Sequence, residues 1–187
     1  MKTRRVATAS IMIALCIATN YALLFIPNVK LMDVLVFTSG FVFGLWTGIT
    51  VGAFSWLVYG AINPLGFSLP ALLSTMIGET IYGLTGAALR RSWLKTDRMG
   101  LKASFSVRNM GFGLVGLITT LIYDLFTNAT TGILFYNSAW IGLLTMNFPL
   151  PMGIIHEVSN FLLFTTLCPL VIMAMKRTLN GFKSKTI

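Results

Sequence analysis

The sequence predicts an all-α integral membrane protein, with six transmembrane helices in one compact bundle and both the N and C termini cytoplasmic. Three observations predict it. The 187 residues are 56% hydrophobic and only 10% charged, with a mean hydropathy of +0.82, outside the range of an ordinary soluble domain. Apolar residues gather in runs long enough to cross a bilayer, which takes about 20 residues per helix. Every basic residue except Lys30 falls in one of three clusters: Lys2, Arg4 and Arg5; Arg90, Arg91, Lys95, Arg98, Lys102 and Arg108; Lys176, Arg177, Lys183 and Lys185. Positive-inside orientation makes all three cytoplasmic, so an even number of spans separates each from the next. The net charge of +9 is then a property of loops, and no nucleic-acid partner is expected.

The first apolar run, 6–26, follows Met1-Lys-Thr-Arg-Arg as a signal peptide would. It has no A-x-A cleavage site near its end, and Leu15 directly before Cys16 argues against a lipoprotein cleavage box, so it reads as the first span. The second run, 34–62, is well over the ~20 residues a span needs. Left whole, it would put the middle basic cluster outside; divided near Gly44-Leu-Trp-Thr-Gly48, it gives two short helices and keeps that cluster inside. A fourth span covers 71–89.

Between the second and third clusters lie runs at 111–128, 131–150 and 153–175, of which only two can cross. The middle one is interrupted by Asn137, Asn147, Pro149 and Pro151. It is expected outside, as a partly membrane-embedded loop or half-helix buried by protein. The expected spans are 6–26, 31–45, 47–62, 71–89, 110–128 and 153–175, in a single domain covering 1–187. Segments 27–33, 63–70 and 129–152 face outward and, being rich in Pro, Gly or Asn, read as ordered turns. No soluble domain or internal repeat is evident. Cys16 and Cys168 both lie in apolar runs and read as small core residues.

Two strips of small residues stand out. Ser10, Ala14, Ala18 and Ala22 recur every fourth residue on the first helix, a face that either packs internally or docks a separate membrane subunit. Gly40, Gly44, Gly48 and Gly52 cross the proposed turn, so they are assigned to close packing of the second and third helices and to the turn itself.

Polar residues inside spans are costly and mark functional positions. Asp124 and Asn128 are four apart on the fifth helix, and His156 and Asn160 four apart on the sixth, so each pair shares a face. Helix direction puts both pairs in the outer third, converging on an externally open substrate pocket. Glu157 joins that face, Asn147 and Asn63 close the rim, and Glu79 forms the floor. Tyr123, Tyr136, Trp140 and Phe148 are available as flat walls for a ring-bearing ligand. The alternative is a buried structural hydrogen-bond network.

Catalysis is not expected. His156-Glu157-Val-Ser-Asn160 departs from the zinc motif H-E-x-x-H where Asn160 replaces the second histidine, and the chain has no other histidine. Ser159 lies on the wrong side of the helix for a Ser-His pair. Neither metal nor cofactor is expected. No G-x-x-x-x-G-K-[ST] loop occurs, so ATP hydrolysis by that chemistry would have to come from a partner.

Six short spans with cytoplasmic termini, the Ala14, Ala18, Ala22 strip, and the patterns Tyr-Asp124-Leu-Phe-Thr-Asn128 and His156-Glu-Val-Ser-Asn160 together resemble the S component of energy-coupling factor (ECF) vitamin transporters. The resemblance covers nearly the whole chain and rests on short motifs and architecture. It implies a binding subunit in a prokaryotic cell membrane that captures a vitamin or related micronutrient from outside. Docking to a transmembrane coupling subunit bearing two ATPases, through Ala14, Ala18 and Ala22, and toppling in the membrane to deliver cargo are implied as well. Ligand contacts vary between such proteins, so the pocket residues above rest on topology alone. The competing reading is a stand-alone proton-coupled transporter or channel, in which Glu79, Asp124, His156 and Glu157 relay protons.

Overall fold

The computed structural model describes residues 2–64, 66–93, 106–145 and 147–184. The expected cytoplasmic loop holding Lys95, Arg98 and Lys102 lies outside the described residues, as does Lys185. The described residues form seven helices: α1 (Lys2–Ala22), α2 (Leu31–Phe43), α3 (Leu45–Ala61), α4 (Leu69–Trp93), α5 (Val107–Tyr136), α6 (Ala139–Thr145) and α7 (Met152–Ser184). No strand occurs among the described residues. Among the described residues, three helical stretches are long and apolar enough to cross a membrane: Thr3–Ala22, Val107–Tyr136 and Met152–Thr178.

The long second run divides where the charge pattern requires. Gly44 has φ +99°, closes α2 by donating its N–H to Gly40 O, and opens α3. A Cβ is strained at that φ, so glycine is what lets two helices follow one another with no further linker. With 13 residues, α2 rises only about 20 Å, short of a ~30 Å hydrocarbon core. Ten of those residues, from Met32 to Val42, are buried, so the helix is sheathed by neighbours along its length. It packs on α1, α3, α4 and α7 and is the core of the bundle. Phe37 and Phe41 meet Phe112 of α5 and Phe164 of α7, the closest ring pair being Phe37–Phe164 at 5.1 Å.

The expected loop at 131–150 is largely helix, which corrects the outer-turn assignment of 129–152. α5 continues through Asn128 to Tyr136, for about 45 Å at 1.5 Å per residue. A single asparagine in an apolar stretch is no helix stop. The stop is Asn137, in the left-handed conformation at φ 52°, its N–H on Gly132 O. The chain then folds back as α6, packed on α5 where Gly142 meets Gly132. The first helix is shorter than expected, since 23–26 are turn, whereas α7 runs past 175.

The ends of α1, α3 and α5 and the start of α7 gather at one end: Tyr21 donates to Ile62 O, and Asn28 to Met152 O. Arg90, near the end of α4, lies beside the Gly44 turn at the other. The glycine strip serves three helices rather than two. A Cβ on Gly83 would come within 2.5 Å of the Gly48 backbone, and one on Gly40 would overlap the Gly83 carbonyl. Backbones that close leave no room for a methyl, so Gly83→Ala is expected to destabilise by about 1–3 kcal/mol, the range for overpacking. A lowered thermal midpoint in detergent checks this, with Gly66→Ala, where no atom lies within 4 Å but φ is +115°, as the strain-only comparison.

Candidate functional site

At the connection end of the bundle, charged and amide side chains from four helices meet inside an apolar shell. The chain is steered there by Asn28, whose left-handed backbone (φ 53°) turns the α1–α2 connection and whose side chain holds the start of α7. Ser159 returns a hydrogen bond to Asn28 O at 3.3 Å. This places the first turn of α2 beside α7, and Asp33 beside His156.

His156 is wholly buried and bridges two acids: Nε2 lies 2.7 Å from Asp33 Oδ2, and Nδ1 lies 3.0 and 3.2 Å from the Asp124 oxygens. Both ring nitrogens facing carboxylates is the bonding pattern of an imidazolium, which has two N–H donors and no acceptor. One turn on, Asn160 Nδ2 donates to Asp33 Oδ2 at 2.6 Å and to Thr120 Oγ1 at 2.7 Å. Tyr82 also donates to Thr120, which in turn donates to Gly116 O. The Asp33, His156 and Asp124 side chains thereby tie α2, α7 and α5 together away from water, where a charge-assisted pair holds firmly once formed but leaves a costly orphan if broken.

Glu79, also wholly buried, accepts from Trp56 Nε1 at 2.9 Å and lies against Asp33, close enough for a carboxyl–carboxyl hydrogen bond. Its Oε1 and Asp33 Oδ1 have no other hydrogen-bond partner among the described residues. Lys30 lies over the neighbouring rings, its Nζ 5.3 Å from the Trp56 centroid and 5.6 Å from that of Tyr123.

Trp56 also borders a cavity of about 420 Å³. Its walls are Trp56 and Gly60 of α3, Ala71, Leu72 and Thr75 of α4, and Asn63, Phe67 and Ser68 of the connection between them. Thr75 and Glu79 are four apart on α4, so the cavity stands one helical turn from the buried acids, with the Trp56 indole between. The volume falls within the range typical of small-molecule pockets.

Of the residues singled out from sequence, Asp124, His156 and Asn160 are brought into one hydrogen-bonded cluster, and Glu79 joins it through Asp33. Asn63 lines the cavity instead. Asn147 caps its own neighbourhood, donating to Leu143 O and accepting from Gly153 N–H. Asn128 is buried and Glu157 half-buried, and neither hydrogen-bonds within the cluster. Tyr123 stacks edge-on against His156, whereas Tyr136, Trp140 and Phe148 are more than half exposed.

Asp33, Lys30, Tyr82, Thr120 and Trp56 were not legible as site residues. A signal existed for two of them. Lys30 is the one basic residue outside the clusters, and Asp33 follows it by three, two opposite charges in an otherwise apolar stretch.

On α1 the two faces differ. Ala9, Met12, Cys16 and Asn20 are buried; Ser10, Ala14, Ala18 and Ala22 are exposed. The small-residue strip therefore faces away from the bundle. Compared with protein-family models, with curated proteins and with solved structures, the chain matches none.

Proposed function

We propose that this chain is the membrane-embedded substrate-binding subunit of an ECF-type importer, taking up a vitamin or related micronutrient from outside. The observation that carries the reading is the exposed strip Ser10, Ala14, Ala18 and Ala22. A small-residue face that no other described helix covers suits close approach by a helix of another membrane subunit. The cavity beside Trp56 supplies the second requirement, a small-solute site at the end of the bundle away from Arg90. In this reading α1, α2, α3, α4, α5 and α7 are the six spans, the Arg90 end is cytoplasmic, and the cavity faces outward. The short α2 crosses as an inner helix whose neighbours, not lipid, surround it.

Purification of the tagged chain from its native membrane tests this. Stoichiometric recovery of a second membrane subunit with two ATPases supports the reading; a chain recovered alone from membranes in which such an assembly is expressed contradicts it.

One observation favours a second reading. Asp124, His156, Asp33 and Glu79 adjoin one another across four helices at one end of the bundle, a set of ionisable groups of the kind a proton-coupled transporter or channel uses. Solute flux without ATP belongs to that reading alone.

A further inference from the structure

We propose that the solute carries a positively charged nitrogen bearing N–H donors, held between the faces of Trp56 and Tyr123 and against the carboxyls of Asp33 and Glu79. This rests on the binding-subunit reading and adds the charge of the solute to it.

Four observations converge. The first is charge balance. Three buried or nearly buried acids, Asp33, Glu79 and Asp124, face one imidazole and one half-buried ammonium, Lys30. With every group ionised the cluster lacks one positive charge, and an uncompensated buried charge is costly. An anionic solute would worsen the imbalance, whereas a cation taking the place of the Lys30 ammonium leaves it no larger.

The second is the orphaned oxygens. Asp33 Oδ1 and Glu79 Oε1 belong to side chains with no solvent exposure, and among the described residues no N–H or hydroxyl donates to either. They call for N–H groups, which a protonated amine or amidine has and a fully methylated ammonium lacks.

The third is the aromatic setting. Trp56 and Tyr123 already present their faces to a cation, the Lys30 ammonium, within 6 Å of both centroids, the range in which cation–π attraction acts. Among the described residues that ammonium makes no ion pair of its own. Lys30 thus occupies the position as a tethered occupant. It stands on the 23–30 connection, at the extended residue that precedes α2, where its side chain can withdraw without unwinding a helix.

The fourth is access. The 420 Å³ cavity ends on Trp56, so the body of a solute can lie in the cavity while its charged end reaches past the indole to where Lys30 now sits.

The test compares three probes of one size and shape on the full chain in lipid nanodiscs: phenethylammonium, phenethyl alcohol and phenylacetate. Affinities are measured by calorimetry on the unaltered protein, Lys30→Met and Glu79→Gln. Expected is binding of phenethylammonium at least tenfold tighter than either other probe, a further tightening of tenfold or more in Lys30→Met, and a tenfold or greater loss in Glu79→Gln. Lys30 lies on a connection, and among the described residues its ammonium makes no ion pair, so Lys30→Met remains decisive should Glu79→Gln fail to fold. Equal or tighter binding of the alcohol or of phenylacetate overturns the proposal, as does failure of phenethylammonium to bind Lys30→Met. Any of these results with ATPase co-purification intact leaves the binding-subunit reading standing; loss of that co-purification removes the reading itself.

Discussion

His156→Ala is expected to lower the thermal midpoint by about 10 °C or more, or to abolish recovery of folded protein. The substitution removes the imidazole that lies between Asp33 and Asp124 and, with Asn160, joins α2, α5 and α7. Deleting one member of a buried charged pair costs about 3–5 kcal/mol, because the remaining charge has lost its partner and has no water to replace it. Two such partners are orphaned here. Against a total stability of about 5–15 kcal/mol, that is a large fraction, and at a few degrees per kcal/mol it gives the stated shift. The compensated triple variant, His156→Leu with Asp33→Asn and Asp124→Asn, should recover much of the loss, since replacing every charged member of a buried cluster is far less costly than breaking it. A midpoint shift below about 2 °C for His156→Ala, near the ±0.5 kcal/mol scale of inconsequential substitutions, would show that the bridge does not hold the helices together.

Ala18→Trp should act in the opposite way, with no effect on the isolated chain and a large one on the assembly. Ala18 is exposed, flanked on its strip by exposed Ala14 and Ala22, so an indole there meets no atom of its own bundle. Stability should change by no more than about 0.5 kcal/mol, as for other surface substitutions. If α1 docks a partner helix, the indole fills the close approach that the alanines permit. ATP-driven uptake by the assembled complex is then expected to fall at least tenfold, with solute affinity of the isolated chain unchanged. Equal loss of binding and uptake would contradict docking through this face.

The helix order was legible because charge and hydropathy act over whole segments. The division at Gly44 followed from counting basic residues on either side of a long apolar run, and the φ of +99° there is its local cause. The 131–150 segment was misread because Asn137, Asn147 and two prolines were weighed together as one interruption. Only Asn137 ends α5, and α6 fits between it and Asn147. For the site, helical spacing correctly paired His156 with Asn160, and helix direction brought Asp124 opposite them. What sequence could not supply was the partner from a connection. Asp33 was grouped with an outer turn, yet it enters the core because Asn28 pins that turn to the start of α7. Nor could spacing on separate helices tell which polar group would line a cavity and which would be closed inside a network. Asn63 went one way and Asn160 the other. Taken alone the α1 strip favoured inward packing, until the buried face, Met12 and Cys16, was placed on the other side of the helix.

The central claim is that this chain binds solute and that its movement across the membrane is driven by partner ATPases. Solute uptake into liposomes containing the purified chain, with and without its co-purified membrane subunit and ATPases, tests it most directly. The account predicts no uptake by the chain alone under any pH gradient, and uptake by the complete assembly only when ATP is supplied on the side of the Arg90 end. Uptake by the chain alone, driven by a proton gradient and abolished in a Glu79→Gln protein that still folds, would contradict it.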